Sequence, residues 1–299
     1  MELRVLRYFV AVADEGNMTR ASKKLLVSQP ALSRQIADLE EELGVKLFDR
    51  KPRNLQLTSA GRYLYQQAKE ILTLTEKTAL NLHTEKIVSG DLTIAAGETL
   101  GMCRVTQVAS QLLQRYPQIQ LHLLTGDYAY SERKVINGTA DFGVIVGNLQ
   151  LDNFNRMQLP EYDRWGVLMP ADDALAQKSV IYAKDLLGRK LLRPQQAASQ
   201  GYFDRWFGNF NEQIKIVGTF NLNYNASLLV KEHTALIITL EHMHSVGPDS
   251  NLAFRPLFPD QTLPVNVIWT KERMLSPVAQ VFLDLLEHSL KNTKPTEFE

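Results

Sequence analysis

Gln29, Pro30, Ser33 and Arg34 fall within six residues of chain. Together they offer a side-chain amide, a hydroxyl and a forked guanidinium on small, slim neighbours. That set suits the reading of base edges. Gln pairs with adenine, and Arg pairs with guanine or a phosphate, provided the backbone carrying them can enter a major groove. Shortly after comes Asp49 to Leu57 (DRKPRNLQL), with Arg50, Lys51 and Arg53 in one short stretch. Clustered cations of this kind neutralise backbone phosphates without reading sequence. Each group also has a plainer reading, a solvated helix face and a basic turn. Residues able to support catalysis are few. Cys103 is the single cysteine, and it lies early in an apolar helix, where it reads as packing. No G-x-S-x-G elbow, phosphate-cradling loop or dinucleotide fingerprint occurs. His242-Met243-His244 supplies two imidazoles, fewer ligands than a zinc site requires. An enzyme is therefore the weaker reading.

The elements that must position these groups follow from residues 17–43. Two short helices joined by a tight turn are expected, Asn17 to Leu25 and Ser28 to Leu43. Asn17 and Ser28 can cap them, because their side-chain oxygens accept first-turn N–H groups. Pro30 sits in the first turn, where a missing N–H costs little. Leu32, Ile36, Leu39 and Leu43 recur at 4, 3, 4 and form an inner stripe. Pro30, Ser33, Arg34 and Ala37 then face outward, with Gln29 at the tip. Thr19 and Arg20, and with them Lys23, lie on the first helix of the pair, where such motifs touch phosphates. An opening helix over Glu2 to Glu15 carries Leu6, Phe9, Val10 and Ala13 inward and stops at Gly16. Residues 49–57 read as a hairpin. From Thr58 to Ser89 a single long helix is expected, ended by Gly90. Its Leu64, Ala68, Ile71, Thr75, Thr78 and Leu82 repeat every seven residues, the period of a coiled-coil seam.

The order of helix, helix-turn-helix, basic hairpin and long helix closely resembles the LysR-type transcriptional regulators. Phe9, Ala21, Ser28 to Ser33, Ile36, Leu39-Glu40, Leu43-Gly44, Leu47-Phe48, Arg50, Leu57-Thr58 and Ala60-Gly61 carry the resemblance. It is strong over the first 60 or so residues and weak beyond, where only the order of elements supports it. It implies a bacterial regulator whose DNA contacts come from Thr19, Arg20, Ser28, Gln29, Pro30, Ser33, Arg34, Arg50 and Arg53. It also implies a linker helix that pairs two heads, an assembly as homodimer or homotetramer through that helix and the effector domain, contact with RNA polymerase, and a binding site in the promoter of its own gene. The remaining alternative is a ligand-binding module of the same fold that no longer reads DNA.

Length and charge agree with a two-part chain. The 299 residues are 44% apolar with a formal net charge of zero. Residues 1–90 hold 14 Lys and Arg against 11 Asp and Glu, a net of +3, and the rest hold 19 against 22, a net of −3. A weakly basic head on a weakly acidic body binds DNA at one end, and so modest a charge favours multivalent binding. No apolar run approaches the roughly 20 residues that span a bilayer, and no signal-peptide core opens the chain. A cytoplasmic protein without membrane contact is expected.

From Asp91 onward strands and helices alternate, with Leu92 to Ala96, Phe142 to Val146 and Trp165 to Met169 reading as strands and Ser276 to Leu290 as an amphipathic helix, which argues for parallel sheet flanked by helices. The fold class is α/β overall. The resemblance implies an all-α winged helix-turn-helix with a long linker helix, followed by a two-lobed α/β domain like a periplasmic binding protein. The expected limits are 1–58, 59–89 and 90–299, with one lobe about 91–162 plus 266–299 and the other about 163–265. Ligands of open α/β sheets sit beyond the carboxyl ends of strands, often at helix N-termini. That rule points to Glu98, Thr99, Gly101, Thr125, Asp127, Val146, Gln200, Tyr202 and Asn221. No cofactor is expected, only a small-molecule co-inducer. The family places a hydroxyl at Thr99 against its effector. Glu98 and Asp127 depart from the neutral residues of anion-binding relatives and favour a neutral, hydroxylated or cationic ligand. Lys231 to Ala235 also departs from the glycine-rich run usual in the family.

Overall fold

The computed structural model describes residues 1–51, 54–82, 89–147, 152–199, 201–247 and 249–291. The chain forms two compact units, Met1–Glu85 and Lys86–Glu299.

In the first unit, α1 (Leu3–Glu15) ends at Gly16, whose φ of 55° is the left-handed conformation that glycine adopts without penalty. Next come α2 (Met18–Lys24), α3 (Gln29–Leu43), the antiparallel strands β1 (Phe48–Lys51) and β2 (Asn54–Leu57), and α4 (Ser59–Leu82). Leu6, Phe9 and Val12 of α1 meet Leu32, Ile36 and Leu39 of α3 in one buried cluster, to which α4 adds Ala68 and Leu72. The inner face of α1 thus centres on Val12 rather than on Val10 and Ala13, which are only partly buried. Leu43, expected inside, is 38% exposed.

The long helix is described as far as Leu82; where it ends short of Gly90 falls outside the described residues, and Gly90 opens the next strand. Leu64 and Ala68 are not free for a partner, since both pack into the cluster of their own unit. The heptad positions further along are the open ones. Ile71 is 38% exposed, and Thr75 and Thr78 donate their hydroxyls to Ile71 O and Leu74 O one turn back, at 2.8 and 2.7 Å. Bonded in this way, the threonine hydroxyls are satisfied within the helix itself.

The second unit is a mixed sheet in two halves. One half contains β3 (Gly90–Ala96), β4 (Ile119–Thr125) and β5 (Phe142–Val146), with α5 (Met102–Arg115) and α6 (Tyr128–Ile136). Here β4 and β5 flank β3 in parallel. A 17-residue strand, β6 (Phe154–Pro170), leads to the other half. That half contains β7 (Lys190–Pro194), α7 (Gln195–Ser199), α8 (Tyr202–Phe207), β8 (Lys215–Phe220), α9 (Asn223–Lys231), β9 (Leu236–Leu240) and β10 (Leu252–Pro256). The chain returns on β11 (Thr262–Thr270) and closes with α10 (Pro277–Lys291). Strand order is β4-β3-β5-β11-β6-β9-β7-β8, with β10 on β6. Two strands cross between the halves. β6 pairs with β11 along Phe154–Gln158 and with β9 along Trp165–Leu168.

Each half has its own core. Leu92, Ile94, Val105, Leu112, Phe142 and Val267 pack against Val278 and Phe282 of α10 in the first. Val167, Leu191, Phe203, Phe207 and Ile238 fill the second. Cys103 is not part of this packing: it is exposed, and the buried face of α5 is made by Arg104, Val105, Val108, Ala109 and Leu112.

Candidate DNA-reading face and ligand cavity

Capping sets the two helices of the DNA-reading face. Thr19 and Arg20 donate their N–H groups to Asn17 Oδ1 at 2.9 and 3.0 Å, and Ala31 N–H donates to Ser28 Oγ at 3.4 Å. The chain therefore enters α3 with Gln29 and Pro30 at its first turn. Gln29, Pro30, Arg34 and Ala37 are exposed and Ser33 is half-buried, while Leu32, Ile36 and Leu39 hold the opposite face in the core. Arg34 makes no ion pair among the described residues. On α2, Thr19 and Arg20 are exposed, and the Arg20 guanidinium is held by the carbonyl of Glu15 and lies 3.7 Å from its carboxylate. Arg50 sits on β1 opposite Leu55. Arg53 lies outside the described residues.

Glu40 fixes the hairpin to α3. Although 97% buried, it accepts N–H bonds from Leu47 and Phe48 at 2.8 and 3.2 Å and pairs with Lys46 at 2.9 Å. Burial alone would raise its pKa, but Lys46 and the two amides outweigh that and hold the carboxyl below its usual range. Thr58 ties the far end: its hydroxyl donates to Lys46 O at 2.7 Å and accepts Gly61 N–H at 2.9 Å.

Between the halves of the second unit lies a cavity of about 320 Å³, within the range of small-molecule sites. Its lining includes Glu98 ahead of α5, Asp127 and Tyr128 at α6, and Val146 ending β5. The facing half contributes Gln195, Gln196, Tyr202, Arg205, Asn221 and Asn223, and Trp165 of β6 is also part of the wall. Of the residues expected from sequence, Glu98, Asp127, Val146, Tyr202 and Asn221 meet here. Thr99, Gly101 and Thr125 do not line the cavity. Thr99 is buried, and its hydroxyl accepts Gly101 N–H at 3.1 Å instead of facing a ligand. Gly101 packs so close to Val265 that a Cβ would stand 2.6 Å from its Cγ1. Gln200 lies outside the described residues. Trp165, Gln195, Gln196 and Arg205 were not expected. Gln195 and Gln196 belong to α7, whose five residues are too few to show a helical period.

Two hydrogen-bonded bridges span the cavity. Glu98 Oε2 accepts the N–H of Asn223 at 2.6 Å and its side-chain amide at 2.8 Å, and Tyr128 N–H donates to Gln196 Oε1 at 3.2 Å. Behind the cavity, Asp163 on the crossing strand β6 accepts Leu100 N–H at 3.0 Å. Burial raises its pKa, offset only in part by the Thr99 hydroxyl, the Leu100 amide and His242. Beside it, buried Glu161 pairs with Arg104 of α5 at 2.5 Å.

A model of the bacterial regulatory helix-turn-helix protein, lysR family, matches residues 3–62, and a model of the LysR substrate binding domain matches residues 86–291. This chain belongs to the LysR family of transcriptional regulators. It is a DNA-binding regulator with an effector-binding domain. It is 30% identical to the Hca operon transcriptional activator HcaR of Escherichia coli, over 97% of this chain and 98% of that one. It is also 30% identical to the HTH-type transcriptional regulator CysL of Bacillus subtilis, over 73% and 74% of the two chains. The solved LysR-type regulator CbnR shares the fold, with a TM-score of 0.75 at 23% identity, covering 98% of this chain and 100% of that one. No described helix of this LysR-type regulator is long and apolar enough to cross a membrane.

Proposed function

We propose that this regulator reads promoter DNA by laying the first turns of α3 in a major groove. Gln29, Pro30, Ser33 and Arg34 meet base edges, while Ser28, Thr19, Arg20, Arg50 and Arg53 hold the phosphates. The observation that carries this is the outer face of α3. It is capped, slim and exposed, and among the described residues its guanidinium takes part in no ion pair. A solved structure of CbnR with its target DNA, from a chain of the same fold, supports the same reading. The head spans residues 1–58, the linker 59–89 and the effector domain the remainder. The protein works in the cytoplasm as a homodimer or homotetramer, with the open half of α4 against a second copy, and it acts on transcription with RNA polymerase rather than as an enzyme.

The cavity between the halves is the effector site in this proposal. Because its walls come from both halves and are bridged by Glu98–Asn223 and Tyr128–Gln196, an occupant shifts the balance between halves and so the disposition of the heads.

Replacing Gln29 by Ala tests the reading face. Fluorescence anisotropy with a bound promoter fragment and a scrambled duplex should show specific binding weakened by about 1–3 kcal/mol and non-specific binding unchanged. An equal loss on both duplexes would mean that Gln29 only touches the backbone.

A further inference from the structure

We infer that the effector of this regulator is a small organic cation, a protonated amine on an apolar or aromatic body, and not a carboxylate. The inference rests on the reading of the cavity as the effector site.

An anion entering an α/β cleft is held by backbone N–H groups at helix N-termini. The helices α6 and α9 start at this cavity and α5 follows its lining residue Glu98, and in each some of the first N–H groups are already bonded within the chain. At α5, Leu100 N–H is bonded to Asp163 Oδ1 and Gly101 N–H to Thr99 Oγ1. At α6, Tyr128 N–H is bonded to Gln196 Oε1 and Tyr130 N–H to Asp127 Oδ1. At α9, Asn223 N–H is bonded to Glu98 Oε2. Two of the acceptors are carboxylates that themselves line the cavity, so an incoming anion would meet negative charge where it needs donors.

The same two carboxylates have capacity to spare. Glu98 uses Oε2 for Asn223, and Asp127 uses Oδ1 for its cap. Their other oxygens, Glu98 Oε1 and Asp127 Oδ2, take no hydrogen bond among the described residues. They leave acceptors for an ammonium group. Trp165 and Tyr202, with ring centroids 6.1 Å apart, add aromatic surface to the wall, and aromatic faces attract cations and repel anions. Arg205, the cation of the described lining, is exposed and leaves the lining one negative charge in excess.

The test is calorimetry and thermal shift on the full chain with shape-matched probes at pH 7: benzylamine, phenethylamine and cyclohexylamine against benzoate, phenylacetate and cyclohexanecarboxylate. Amines should bind and stabilise the protein. Glu98→Gln and Asp127→Asn keep an acceptor for Asn223 and for the α6 cap, and each should weaken amine binding about tenfold or more. Val146→Phe, which fills the cavity, should abolish it. Carboxylates that bind and are displaced by Val146→Phe would overturn the cation while leaving the cavity as the site. Amine binding that persists in Val146→Phe would overturn the site itself and the inference with it. No binding by any of the amines, or amine binding that survives both neutralised variants at full strength, would overturn the inference.

Discussion

Asp163 shows what a single side chain can do at the junction of the halves. Only 1% of it is exposed, yet it is a carboxylate bonded to the backbone at the start of α5. Burial disfavours the charged form, so its pKa lies above the ordinary 3.8. A carboxyl whose folded pKa is raised favours the folded state while protonated, and that contribution is lost as pH rises through the folded value. Asp163→Asn keeps an oxygen for Leu100 N–H and removes the charge. The variant should therefore melt at a higher temperature than the native protein at pH 7, and the gap should close as pH falls toward 4. Scanning calorimetry at several pH values reads this; a gap that widens on acidification would show that another group governs the junction. The DNA face is a residue-scale matter of a different kind. Gln29, Ser33 and Arg34 are shaped by capping at Ser28, which can be read directly from a Ser before a Pro-containing first turn.

At the scale of elements, Gly61 holds the head together. A Cβ there would lie 2.1 Å from Leu47 O and 3.0 Å from Leu57 Cδ2, so no side chain fits between α4 and the hairpin. Gly61→Ala should destabilise the head by about 1–3 kcal/mol, as overpacking of a core does, and urea unfolding would measure it. A variant of native stability would mean that α4 can lift away from the hairpin at no cost. Elements whose hydropathy matches their geometry were legible from sequence: α1 to α3, β3, β5 and α10 lie within a few residues of their expected limits. β6 was not. Only Trp165 to Met169 reads as a strand, because the inner positions just before it are carboxylates: Glu161 and Asp163 are buried with Leu159, while Pro160 and Tyr162 face out. A period of two is invisible when its inner positions are carboxylates, here bonded through one oxygen each to Arg104 and to Leu100 N–H. Thr99 misled for a related reason. Its place after β3 fitted a ligand hydroxyl, but the turn that bends the chain into α5 consumes it. The unexpected wall residues Gln195 and Arg205 come from helices of five and six residues, too short for periodicity to declare a face.

The whole molecule couples a weakly basic head to a weakly acidic body. One head carrying a net of +3 binds DNA modestly, so useful affinity and long sites call for two heads acting together. In the proposed dimer the second copy meets α4 from Ile71 onward, where Ile71 is exposed and the Thr75 and Thr78 hydroxyls are already bonded within the helix. Two heads related by a twofold axis bind an inverted repeat whose half-sites are set by the spacing of their reading helices. The most direct test is to mix the purified protein with fragmented DNA of its own genome, recover the bound fragments at low and at physiological salt, and sequence them. A small set of fragments, among them the DNA upstream of its own gene, should be enriched, should share a short inverted repeat, and should stay enriched as salt rises even while total binding falls. Fragments recovered in the same proportions as the input at both salt concentrations would contradict the account, leaving a head that clings to phosphates and reads nothing.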